Sequence, residues 1–178
     1  MEFDLQPNLN NDLVILRPLA AEDFDALFTV AADPKIWEQH PDKNRCTLAG
    51  FTNFFEDSLA SKGCLIIIDK ESSEVIGSSR FKIRSNFKDA VEIGWTFLSR
   101  KYWGGHYNGV IKWLMMEYAF QHINRILFFV AKDNLRSQKA VEKLTSINGF
   151  QLSMDKNVVA EEENITYIIK KSKIGQES

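Results

Sequence analysis

The sequence is poor in several features whose abundance would have pointed to a function. It has only two cysteines, Cys46 and Cys64, too few for a disulfide framework. Neither has a second Cys or a His at ligand spacing, so no metal site is expected. Charge of one sign is also lacking: 22 Lys and Arg stand against 24 Asp and Glu, a formal net charge of -2. A chain so balanced has no general attraction for nucleic acid or an anionic membrane, and neither is expected as a partner. Long hydrophobic runs are missing, and the N-terminus, MEFDLQPNLNNDLVILRPL, opens on acidic and polar residues instead of a basic patch leading to an apolar stretch. The expected location is therefore cytoplasmic. There is no repeat, no low-complexity tract and no linker rich in Pro, Gly and Ser. Residues 1–178 accordingly read as one domain, whose 44% hydrophobic content suits a sizeable core.

What the sequence does contain is an ordered series of short periodic segments. A strand near LVILRPL precedes a helix that Asp23 can cap, with Phe24, Leu27, Phe28 and Ala31 at helical spacing and Asp33-Pro34 as its end. A second helix is expected over LAGFTNFFEDSLAS. Three strand-like runs, CLIIID, SEVIGSSRFKIR and AVEIGWTFL, follow with polar connections of hairpin length, which describes an antiparallel meander. From Gly109 the period changes, and Val110, Ile111, Leu114, Met115, Tyr118 and Ala119 mark one broad apolar helix face. A strand RILFFVA, a helix LRSQKAVEKL, a strand around GFQLSM and a last strand NITYIIKK complete the order. The expected fold class is α/β, a mixed sheet with helices packed on it.

The most specific signal lies between residues 92 and 120, where no acidic residue occurs between Glu92 and Glu117. In VEIGWTF, strand alternation sends Val91, Ile93, Trp95 and Phe97 to one face and Glu92, Gly94 and Thr96 to the other. Gly94 marks a bulge or a close approach by another backbone. The stretch YWGGHYN follows, in which Gly104 and Gly105 let the chain turn tightly and present N–H groups at a helix start. Such a terminus favours an anion, most naturally a phosphate or diphosphate. A Walker loop is excluded because GGHYNGV has no Lys followed by Ser or Thr. A dinucleotide fingerprint fails too, since His106 holds the place of the middle glycine and an antiparallel meander precedes the turn.

Taken together, LRPL with EDFDAL, VIGSSRF, EIGWTFL, YWGGHYNGVIKWLMMEYAF and NLRSQKAVEK resemble, in order and spacing, the GNAT acetyltransferase superfamily. The resemblance is to the branch that includes the ribosomal-protein N-terminal acetyltransferases. It implies a mainly antiparallel central sheet that splays open, with acetyl-coenzyme A as cofactor lying in the opening. It implies that backbone groups of Thr96, Phe97 and Leu98 bond the pantetheine arm. The N–H groups of Trp103, Gly104, Gly105, His106, Tyr107 and Asn108 would then hold the diphosphate, with Asn134 as a further cofactor contact. This chain departs from the family at His106, where the loop usually carries its second glycine, and in EKLTSINGF, whose extra residues imply a longer last helix or loop. A homodimer paired through the sheet or the late helices is a further expectation of the resemblance.

The activity implied is direct transfer of an acetyl group to a primary amine, either of a small molecule or of a protein N-terminus. A noncatalytic acyl-coenzyme A binding or sensing module on the same fold is the alternative. Glu92 is the candidate base, with an ion pair to Arg80 or Arg84 as its structural reading. Ser137, on the inward face of its helix, is the candidate donor of a proton to the departing thiolate, and Asn134 is expected to cap that helix. Trp37, His40, Phe54 and Phe55 are the candidate acceptor-site residues.

Overall fold

The computed structural model describes residues 3–146, 152–158 and 164–171. Strands β1 (Leu9–Asn10) and β2 (Val14–Pro18) lead into helices α1 (Phe24–Ala31) and α2 (Leu48–Ala60). The meander β3 (Cys64–Asp69), β4 (Val75–Ile83) and β5 (Ala90–Leu98) follows as expected. Then come α3 (Tyr107–Ala119), β6 (Arg125–Ala131), α4 (Leu135–Glu142), β7 (Leu152–Val158) and β8 (Asn164–Lys171). The eight strands of the described residues form one sheet in the order β1-β2-β3-β4-β5-β6-β8-β7, antiparallel everywhere except between β5 and β6. Of the expected strand GFQLSM, residues 149–151 lie outside the described residues, as does the 147–150 part of EKLTSINGF. Glu142 is followed by a 3₁₀ turn, Lys143–Ser146.

The sheet is covered on both faces. Leu65 and Ile67 of β3 pack with Val91 and Ile93 of β5 against Ile111, Met115, Met116 and Ala119 of α3. Cys64 and Ile66 point the other way, into Leu27 and Ala31 of α1 and Phe51, Phe54 and Phe55 of α2. A strand buried on both faces reads as an unbroken apolar run, which is why CLIII shows no alternation.

Two expectations are corrected. Asp23 stands at the start of α1 but makes no cap bond there. Its carboxylate instead accepts from the Ala20 N–H and takes both guanidinium nitrogens of Arg17, at 2.8 and 2.6 Å. The simple alternation along β5 also fails. Val91 and Ile93 belong to the α3 face, whereas Trp95 and Phe97 belong to the α1/α2 face. The cause is a bulge: Ser78 pairs with Phe97 but Arg80 pairs with Gly94, so β5 spends one residue more than β4. Trp95 takes up the extra length with φ of 52°, and the parity of every later side chain reverses.

Candidate active site

Strands β5 and β6 pair only through Ala90–Glu92 and Arg125–Leu127. Beyond Glu92, β6 stays with β8 and β5 stays with β4, so the two strands part and the edge of β5 facing β6 has no strand partner. The gap between them opens into a cavity of about 960 Å³, large for a small-molecule site. Thr96, Phe97 and Leu98 of the bulged strand, the glycine turn, α3, β6 and α4 all contribute to its wall. The Thr96 hydroxyl lies 2.8 Å from that of Ser79, and the Leu98 carbonyl accepts from the Trp103 indole at 2.9 Å. These bonds fix both ends of the open edge.

The turn after β5 is prepared for an anion. The Trp103 N–H is consumed by the Arg100 carbonyl, which removes it from the expected row of donors. The N–H groups of Gly104, Gly105, His106, Tyr107, Asn108 and Gly109 bond no backbone acceptor. No side chain caps α3 either. Gly104 has φ of 73°, and a Cβ at Gly104 or Gly105 would meet nothing within 4 Å, so the backbone faces open space. His106 is exposed and stacks on Tyr107, leaving the backbone beneath it free. These donors fit a diphosphate through backbone alone, and a side chain at the usual second glycine does not obstruct it.

Arg136 braces the turn from the far side. Its guanidinium lies 4.0 Å from the centre of the Trp103 ring and donates to the Ile36 carbonyl at 2.9 Å. Sequence reasoning passed over this residue, although an Arg in the first turn of a helix opposes the helix dipole and was a usable signal. Lys112 was missed as well. It is buried within α3, and the signal was a lone cation interrupting the apolar run of VIKWLMM.

On the other wall, the Asn134 side chain accepts from the Ser137 N–H at 3.1 Å and caps α4 as expected. The Ser137 hydroxyl has no protein partner among the described residues and belongs to the cavity wall. Glu92 is 3% exposed and pairs with Arg84 at 2.5 Å, one of the two arginines expected. Burial raises its pKa, against the opposing pull of Arg84, Lys82 and Arg80. Its carboxylate lies over Gly94, itself part of the wall, and a Cβ there would come within 3.0 Å of Oε1.

The four acceptor-site candidates separate. Trp37 and His40 line the cavity. Trp37 is held by a 2.7 Å bond from its indole to the Ala31 carbonyl and packs on Phe97. His40 Nδ1 lies 2.9 Å from the Asp42 nitrogen and 3.1 Å from the Asp42 carbonyl oxygen, so Asp42 holds the ring by its backbone. Burial, then the charge of Arg45, lowers its pKa. Phe54 lines a neighbouring pocket with Arg45 and Asp57, while Phe55 packs against Phe24 and Phe51 and lines neither space.

Residues 14–146 match the family described as Acetyltransferase (GNAT) domain. No curated protein matches the chain. Among solved structures, a GCN5-related N-acetyltransferase from Brucella melitensis is 20% identical, with a TM-score of 0.71, over 94% of this chain and 78% of that one. An acetyltransferase from Agrobacterium tumefaciens str. C58 is 23% identical, with a TM-score of 0.69, over 91% and 93%. A spermidine N-acetyltransferase from Vibrio cholerae, solved with coenzyme A and spermine, is 12% identical, with a TM-score of 0.62, over 90% and 96%. The matched span takes in β5, the glycine turn, α3, β6 and α4, and the chain thus belongs to the GNAT acetyltransferases, which use acetyl-coenzyme A.

Proposed function

We propose that this protein transfers the acetyl group of acetyl-coenzyme A directly to a primary amine. The observation that carries the reading is the parted β5–β6 edge, which ends in a turn of free N–H groups and shares its cavity with the Ser137 hydroxyl, unpartnered among the described residues. Bound in that gap, the cofactor supplies an activated acetyl group on a thiolate leaving group.

The protein's own groups then have separate tasks. Free N–H groups along the bulged edge polarise the acetyl carbonyl without reorganising. Ser137 donates its proton to the sulfur as it departs and regains one from solvent. The acceptor must lose a proton before it can attack, and at neutral pH this costs a lysine amine about 4.6 kcal/mol but an α-amine only about 1 kcal/mol. Glu92 stands behind the cavity wall, so it takes that proton through a water relay past Gly94, the wall residue its carboxylate touches. Burial strengthens it as a base, and Arg84 opposes its neutralisation. Trp37 and the His40 ring border the acceptor's approach.

The lower deprotonation cost, together with the motif resemblance to the N-terminal acetylating branch, supports an α-amine acceptor over a lysine. The test is acetylation of a panel of free amines, lysine peptides and peptides with free N-termini, run alongside coenzyme A binding. Turnover that drops in E92Q and S137A with binding retained supports the enzyme. Tight binding with no turnover on any amine supports the sensing module instead.

A further inference from the structure

Lys112 is out of keeping with its surroundings. It lies in the second turn of α3 among Ile111, Met115 and Met116 and is 6% exposed. Its Nζ donates to Asn108 Oδ1 at 2.7 Å, a neutral acceptor. No carboxylate among the described residues forms an ion pair with it. An ammonium has three donors to place, and a buried charge without a counterion is costly. Burial alone pushes its pKa down to about 8. The fold therefore holds a cation that lacks its anion.

The direction of the side chain says where that anion belongs. Side chains on a helix lean toward its N-terminus, and the bond to Asn108 carries Nζ back to the first turn of α3. There the N–H groups from Gly104 through Gly109 stand free, and Gly104, Gly105, Asn108 and Lys112 line the same cavity.

We propose that Lys112 is a charged ligand of the cofactor's diphosphate and completes the site made by those backbone donors. This rests on the cofactor reading given above. His106 from the turn, Arg136, Lys139 and Lys143 from α4 and its continuation, and His40 and Arg45 from the α1–α2 connection also face the cavity. None of them contributes to the lowered pKa of Lys112, and the one acceptor its Nζ meets among the described residues, Asn108 Oδ1, is neutral.

The experiment is calorimetric titration of the wild type and K112M with coenzyme A and with pantetheine, which lacks the phosphates. Measurements at about pH 8.5 in two buffers of different ionisation enthalpy also count the protons taken up. The expected results are net proton uptake by the wild type, and a loss in K112M of that uptake and of coenzyme A affinity by about 10- to 100-fold. Pantetheine affinity should stay unchanged. Equal coenzyme A affinity in both proteins, or an equal loss for both ligands, overturns the role of Lys112 while leaving the cofactor reading intact. No coenzyme A binding by the wild type overturns both. Should K112M fail to fold, K112Q titrated with the same two ligands decides the matter in the same way.

Discussion

The Tyr107 hydroxyl donates to Asp69 Oδ1 at 2.8 Å, joining the first residue of α3 to the last residue of β3. Asp69 also accepts from the N–H and hydroxyl of Ser72, and Tyr107 packs edge-on against Tyr102 at 4.7 Å. Strand β3 is thereby made to position a turn that lies far from it in sequence. Y107F keeps the ring and loses the tether, so the turn's N–H groups lose their fixed direction. Coenzyme A affinity should fall several-fold with little change in kcat, measured by titration and steady-state rates. An unchanged affinity would mean that ring packing alone sets the turn.

A second tight relationship holds the bulge in place. A Cβ on Gly77 of β4 would lie 2.0 Å from the Phe97 carbonyl oxygen, which is backbone and cannot swing aside. G77A forces β4 and β5 apart at the point where the bulge directs the open edge. A loss of about 3 kcal/mol or more is expected, at the upper end for overpacking. Chemical denaturation would read it, and a midpoint within error of wild type would show that the strands yield freely.

The pH dependence of the rate should report Glu92. A base works only when ionised, so kcat falls as pH drops through its pKa, which burial places above the usual glutamate value. Arg84 pulls the other way, and R84M should move the acidic limb to higher pH. E92Q should abolish that limb and lower kcat by about 10²- to 10⁴-fold. If the limb remains in E92Q, the titrating group is elsewhere.

How legible these features were depended on the kind of information each requires. The strand CLIIID, the apolar face of α3 and the Asn134 cap follow from spacing and residue type, and the structure agrees with all three. The parting of β5 from β6 depends on where nonlocal pairing stops, and no periodicity in either strand encodes it; the ordered motifs anticipated it only through resemblance. The reversal along β5 was hidden because Trp95 adopts a left-handed φ that usually signals glycine. Gly94, the residue that suggested a bulge, is the last one in register before it and also makes room for the Glu92 carboxylate. Asp23 misled for a related reason. A carboxylate at a helix start reads as a cap, and only the fold brings Arg17 beside it.

Lys112 gives the last prediction, one that needs no ligand. The pKa of its ammonium in the folded protein is lowered to about 8 from the ordinary 10.5. Between these values the unfolded chain binds the proton and the folded chain does not, so stability contributed at this site rises with pH. Below about pH 8 both states are protonated and the folded protein bears the full cost of the buried charge, at most about 3 kcal/mol. Methionine removes the charge and fills the same space, so K112M should be more stable than wild type at neutral pH, with the gap closing as pH rises toward about 10. Paired denaturation curves across that range isolate Lys112 from the other titrating groups, which both proteins share. A gap that stays constant with pH would mean that the ammonium is hydrated where it lies, and a less stable K112M would mean that its bond to Asn108 outweighs the cost of burial.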